Sequence, residues 1–175
     1  MKKVILFFAL MLMGMTVLMT ACKKEKDETQ QTTTDNGGGA AEDDVAVDIA
    51  TTYRGVMNVS LQEMPAYGIP PIEDMEIRIA AVRSDAVDIV LPVVTYTMSG
   101  RDMVLPSITV TFVNVSKTAE NSYVIKQKSY ETMVDGKSVV AMVQGTVQDS
   151  VLTLDYSMKY GSMPMTLLFN FVSAK

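Results

Sequence analysis

The chain has 175 residues, with one cysteine, no histidine and no tryptophan. Without histidine there can be no Ser-His-Asp relay, Cys-His pair or histidine metal site, so no catalytic residue, metal or cofactor is assigned and a non-enzyme is expected. Fifteen basic residues against twenty acids give a formal charge of −5, and no basic patch forms along the chain, which argues against nucleic acid as a partner.

Lys2 and Lys3 open the chain with positive charge, and residues 4–18 form an uncharged apolar run. That run is shorter than the roughly 20 residues of a membrane-spanning helix and has the length of an export signal. Leu18-Met19-Thr20-Ala21-Cys22 follows. It resembles the lipobox of bacterial lipoproteins, with Met19 in the leucine position. The resemblance implies a signal peptide over residues 1–21, removed on maturation, and acyl chains of the palmitate kind on Cys22. Each buried methylene contributes about 0.8 kcal/mol, so several chains hold a protein firmly in a leaflet. The membrane is thus an expected partner, through acylated Cys22. The next run, Lys23-Lys24-Glu25-Lys26-Asp27-Glu28, resembles the acid-containing export signal of Bacteroidetes surface lipoproteins. That likeness implies an outer-membrane lipoprotein exposed on the cell surface rather than a cytoplasmic protein; a solvated spacer is the other reading.

Residues 22–45 carry three lysines, seven acids and the run Gly37-Gly38-Gly39, with almost nothing apolar. Such a composition cannot offset the entropy of ordering, so a flexible polar tether is expected. Residues 46–175 are long enough for one core.

In that second part apolar residues alternate with a period of two, broken by turn residues, and no helical period emerges. Eight strands are predicted, at 53–62, 75–82, 86–97, 103–115, 122–134, 137–148, 151–160 and 165–174. Inward faces read as Met57, Val59 and Leu61; Met75, Ile77 and Ile79; Val87, Ile89, Leu91 and Val93. They continue with Ile108, Val110 and Phe112; Val139, Ala141 and Val143; Leu152, Leu154, Tyr156 and Met158; Met165, Leu167, Phe169 and Phe171. The fourth segment loses step after Phe112, as a bulge would make it. The fifth segment offers no preferred face. Pro92 and Pro106 each remove a ladder donor within a predicted strand, which implies a bulge, a break or imperfect closure there. Asp135-Gly136 has the composition of a two-residue type I′ turn. The acids Glu73, Asp74, Glu76, Asp85 and Asp88 match no catalytic or calcium spacing and read as solvated strand ends.

Eight sequential antiparallel strands with short links predict an all-β, up-and-down barrel, since closure removes exposed edges. A two-sheet sandwich is the alternative. The stretches Tyr53-Arg54-Gly55-Val56-Met57-Asn58-Val59, Leu91-Pro92, Met103-Val104-Leu105-Pro106-Ser107-Ile108, Gly145-Thr146-Val147 and Pro164-Met165-Thr166-Leu167 resemble the calycin-like domain of Bacteroidetes lipoproteins. The resemblance implies a lipocalin-like barrel, although the Gly-x-Trp mark of true lipocalins is absent.

In an up-and-down barrel alternate links share an end. Links at 63–74, 98–102, 135–136 and 161–164 would therefore gather Met64, Tyr67, Ile69, Met98, Met103, Tyr160 and Met163 into an apolar mouth, opposite a polar end. Thioethers and tyrosines at a mouth suit adaptable apolar contact with a ligand or a partner. Two functions follow. One is a lipid-anchored envelope protein whose barrel binds a small apolar ligand. The other is a surface interaction or structural lipoprotein whose solid barrel docks another envelope protein through apolar loops. A hollow lumen favours the first; a packed lumen with exposed apolar surface favours the second.

Overall fold

The computed structural model describes residues 44–175. The expected signal peptide, the acylated Cys22 and most of the tether lie outside the described residues.

A one-turn helix, α1 (Val45–Ile49), comes first. Ten strands follow: β1 (Thr52–Leu61), β2 (Ile72–Arg83), β3 (Ala86–Leu91), β4 (Val94–Met98), β5 (Arg101–Leu105), β6 (Ile108–Ala119), β7 (Ser122–Val134), β8 (Lys137–Gln148), β9 (Val151–Tyr160) and β10 (Leu167–Ser173). Eight of them close an antiparallel barrel in the order β1-β10-β9-β8-β7-β6-β3-β2, while β4 and β5 form a separate two-stranded sheet. β1 meets β10 from Gly55↔Ser173 to Leu61↔Leu167, and this seals the meander on itself.

The prolines explain the two extra strands. Pro92 ends β3 and Pro106 separates β5 from β6, so the third and fourth predicted segments each split in two. Neither proline can donate to a ladder, and the hairpin beyond them peels away from the barrel wall. Ser107 Oγ donates to the Leu91 carbonyl at 2.7 Å and fastens the corner. The break also changes which valine faces inward. Val93, expected inside, is 54% exposed, and Val94 is buried instead.

Two bulges correct two further expectations. Phe112 has φ 53° and the β3–β6 register slips between Val87 and Ile89, so Phe112 turns outward while Val113 and Val115 are buried. The predicted bulge is there, but the phenylalanine is the residue it expels. Asp88 accepts from the Phe112 N–H at 2.9 Å and pins it. In β7 the register with β8 slips between Ile125 and Lys128. Tyr123 and Ile125 point inward before the slip, and Lys128, Tyr130, Thr132 and Val134 are half-buried after it. Neither parity holds along the whole strand, which is why no face could be read.

Helix α1 had no periodic signal, because one turn is too short to show one. It is held by tertiary bonds: Ala46 N–H to the Ser84 carbonyl at 2.9 Å, and Tyr53 Oη to the Ile49 carbonyl at 3.0 Å. Ala46 and Ile49 are buried beneath it.

The remaining inward faces are as the alternation predicts, except that Met75 and Met165 are only half-buried and Met165 lies in the link before β10. Met57, Ile77, Leu154 and Phe171 are among side chains with no measurable exposure. Burying one such side chain contributes about 1.5–3 kcal/mol.

Candidate functional site

Three contacts fix which links share an end. The Ser99 N–H donates to Tyr67 Oη at 3.1 Å, joining the first long link to the β4–β5 turn. Glu63 accepts from the Thr166 N–H at 3.1 Å, joining that link to the β9–β10 link. The Gly161 N–H donates to the Ser138 carbonyl at 2.7 Å, joining the β9–β10 link to the start of β8. The apolar links therefore gather at one end, here called the rim. Turns Ser84-Asp85, Glu120-Asn121 and Asp149-Ser150 lie at the other end with α1. There a cavity of about 380 Å³ is lined by polar groups such as Asp48, Thr52, Arg54, Asn121 and Lys175 together with Tyr53, Tyr123 and Val147.

At the rim, Tyr67, Ile69, Met98, Met103, Tyr160 and Met163 are half-buried against the core. Met64 alone of the candidates stands out, at 41% exposure. Met103, Tyr160 and Met163 meet in one cleft of about 210 Å³, walled by β5 on one side and by Lys137 and Gly161 on the other. Lys137 Nζ rests 5.0 Å from the Tyr160 ring centroid. Ile69 lines a second cleft of about 360 Å³ with Pro70, Pro71 and the β4 residues Thr95 to Thr97. Between these clefts the hairpin turns Val94, Tyr96 and Leu105 into the core. The mouth is thus closed by the hairpin, with the long link fastened beside it.

Below the hairpin the lumen is filled. Inward side chains such as Leu61, Ile89 and Leu105 are at most 1% exposed, so no water-sized hollow lies beside them. Tyr156 stacks on Phe169 with ring centroids 4.3 Å apart. The hydroxyls of Tyr96 and Tyr156 are buried without a hydrogen-bond partner. Burial pushes both phenols above their ordinary pKa, because it penalises the charged form.

The acids do not converge. Glu73, Asp74 and Glu76 all lie within β2, which starts earlier than the predicted strand at 75–82, and Glu76 pairs with Arg54. Among the described residues no group of three or more His, Cys, Asp or Glu side chains is placed to hold a metal ion.

One surface feature escaped the sequence reading. On the outer wall of β1, β10, β9 and β8 a groove of about 340 Å³ runs past Asn58, Asn170, Asp155 and Gln144 on one side. Ser60, Leu168, Ser157 and Met142 line the other. Those two rows are the cross-strand partners Asn58↔Asn170↔Asp155↔Gln144 and Ser60↔Leu168↔Ser157↔Met142. No spacing within one strand could reveal them, since the groove exists only in the register between strands.

No curated protein matches the chain. A crystallised protein of Bacteroides fragilis NCTC 9343, provisionally described as an outer membrane protein, shares the fold with TM-score 0.64 at 24% identity. The alignment covers 76% of this chain and 53% of that one, so the chain spans about half of that protein's length. The family described as Calycin-like beta-barrel domain matches residues 49–174. With the closed eight-stranded barrel already traced over the same residues, the chain belongs to that family.

Proposed function

We propose that the protein is a lipid-anchored, non-enzymatic envelope protein whose solid barrel docks a partner protein at the apolar rim. The observation that carries this reading is the filled lumen. A barrel whose inward aliphatic and aromatic side chains are buried against one another has its contact surface on the outside. The exposed Met64 and the half-buried methionines and tyrosines behind it supply adaptable apolar contact. The lipobox at Cys22 and the Bacteroides fragilis neighbour's provisional description support an outer-membrane, surface-exposed address.

A photo-crosslinking amino acid placed at Met64 or Met163 in cells making the whole chain should give a discrete protein adduct. Placement at Ser150, at the polar end, should give none. Adducts from Ser150 alone, or from no position, would end the docking reading. Detergent phase partitioning tests the anchor: the intact protein enters the detergent phase and Cys22→Ala returns it to water. An aqueous intact protein contradicts lipidation.

A second reading, a small apolar ligand in the lumen, draws on the unpartnered Tyr156 hydroxyl. A buried hydroxyl without a partner costs about 1–3 kcal/mol, which a ligand acceptor would recover. Mass spectrometry of a denatured native preparation would release such a ligand in stoichiometric amount. Its absence leaves the docking reading alone.

A further inference from the structure

We infer that the outer groove on β1, β10, β9 and β8 is a binding site for a short, extended, neutral oligosaccharide. The site lies on the wall of the barrel, apart from the rim, and it stands whether or not the rim docks a protein.

The groove, of about 340 Å³, runs across the strands between two outward-facing rows. Its floor is the row between them, Val59↔Phe169↔Tyr156, whose side chains are buried in the lumen. What the groove meets there is backbone, and the N–H and C=O groups of these strands are engaged in the ladders on either side. The floor therefore presents peptide faces and Cα–H groups rather than free donors or acceptors. Rows two residues apart along a strand are separated by about 6.4–6.8 Å, and four strands span about 14 Å. The slot suits a slim linear chain.

Its two walls differ in chemistry. Asn58, Asn170, Asp155 and Gln144 make the first, four planar polar groups side by side. Asn170 Nδ2 donates to Asp155 Oδ1 at 2.7 Å, which steadies both groups and leaves the other carboxylate oxygen open as an acceptor. Leu168 and Met142, each 37% exposed, dominate the second wall. Gln127 Nε2 donates to Met142 Sδ at 3.0 Å and holds the thioether. Both walls are thus arranged before any ligand arrives, which lowers the cost of binding.

Charge narrows the class of ligand. Asp155 is the one charged group in the lining, and no lysine or arginine joins it. Lys159, the next outward residue after Ser157 on β9, and Lys126, in the β7 slip beside β8, both lie outside the groove. An anion would meet a carboxylate and no cation. An acyl chain would fit the floor, but it would strip water from three amides and a carboxylate and return no hydrogen bond. That penalty exceeds the net gain from an ordinary hydrogen bond. A sugar ring satisfies both surfaces. Its C–H face lies on the floor and against Leu168 and Met142, while its hydroxyls replace the displaced water along the amide row. Hydroxyls donate and accept, as amides do, and they donate to Asp155, which only accepts. Spacing favours the same class. Successive members of the row sit about 4.8 Å apart across the strands, close to the step per ring in an extended β-1,4-linked chain. An extended peptide repeats its backbone only every second residue, about 6.4–6.8 Å, and falls out of step.

Side-chain NMR on the whole lipidated chain tests the site, in phosphocholine micelles so that no sugar headgroup competes. The probe is cellotetraose, an extended neutral β-1,4 glucan, compared with maltotetraose, which has the same composition but curves. Cellotetraose should shift the side-chain amides of Asn58, Asn170 and Gln144 and the methyls of Leu168 and Met142, saturably. The Met64 and Met163 methyls at the rim should stay in place, and maltotetraose should bind several-fold more weakly. Asp155→Asn, which keeps the shape but removes the carboxylate, should weaken binding by about tenfold or more, the loss of one hydrogen bond to a charged group. Ser157→Leu fills the slot between the walls and should abolish binding. An unchanged backbone spectrum away from the groove shows that each variant is folded, and Asp155→Asn suffices if Ser157→Leu is not.

No response to cellotetraose at millimolar concentration would overturn the site. So would binding undiminished in the folded variants, or shifts spread over the whole barrel surface. Shifts with decanoate but not with cellotetraose would make the groove an apolar site. Shifts with a blocked valine–threonine peptide alone would make it a protein contact, and either result overturns the saccharide. Equal binding of maltotetraose would overturn the match to the strand spacing, and with it the extended chain.

Discussion

Tyr53 shows how one side chain can lock the polar end of the barrel. Its ring is buried, its hydroxyl donates to the Ile49 carbonyl of α1, and Tyr123 beside it donates to Asp48 of the same helix at 3.0 Å. Burial first, and the neighbouring Tyr123 second, push the Tyr53 pKa from 10.0 up to about 12. The folded state then holds this proton more tightly than the unfolded state. The resulting stability is fully present below pH 10 and is lost as pH rises from 10 toward 12. Urea midpoints should fall across that window, and Tyr53→Phe should flatten part of the slope, the rest belonging to Tyr96 and Tyr156. A pH-independent midpoint would mean that Tyr53 titrates as an exposed phenol. Tyr156 gives the opposite kind of test. Its hydroxyl is buried without a partner, so Tyr156→Phe should be neutral or should stabilise by up to about 1–3 kcal/mol in the same denaturation series. Clear destabilisation would show that the hydroxyl has found a partner, as the ligand reading requires. Gly55 is decided by space alone: a Cβ there would lie 2.1 Å from the Val172 carbonyl oxygen. Gly55→Ala should cost at least about 1–3 kcal/mol by overpacking against backbone that cannot move aside.

The β4–β5 hairpin is where neighbouring residues differ most in consequence. Leu105 is 1% exposed and Val104 is 57% exposed, although they are adjacent. Leu105→Ala should destabilise by about 2–5 kcal/mol, and Val104→Ala should stay within about 0.5 kcal/mol, in chemical denaturation. Equal costs would mean that the hairpin is not seated on the core. The same elements show what the residues alone could and could not reveal. β9 and β10 alternate without interruption, so Leu152 to Met158 and Leu167 to Phe171 were legible as inward faces. The third and fourth segments carried their warning in Pro92 and Pro106, and the strand breaks are there. β7 was illegible because its bulge changes parity midway, and Phe112 was misplaced because the bulge expels it. Of the rim, alternation and link order sufficed to gather Met103, Tyr160 and Met163. The outer groove depends on register between distant strands, which no local pattern encodes.

On the scale of the whole molecule, the rim and the polar end are chemically distinct, and the chain enters and leaves by the same end. β1 begins and β10 finishes at the polar end, where the Ala174 N–H donates to the Arg54 carbonyl at 2.8 Å. The rim lies at the far end of the strands. This arrangement has a mechanical meaning. A protein held at its amino-terminal side by a lipid and at its rim by a partner is stretched along the axes of its strands. β1 is bonded on both flanks, to β2 and to β10, so such tension loads many hydrogen bonds at once, in shear. Tension between residues 44 and 175 instead acts at one end and opens the β1–β10 ladder one bond at a time, like a zipper. Single-molecule pulling between residue 44 and Val104 should therefore require a markedly higher rupture force than pulling between residues 44 and 175. Equal forces would show that α1 and the β1 ladder yield before strand shear is felt. The barrel is thus expected to resist tension between its amino-terminal side and its rim better than tension between residues 44 and 175.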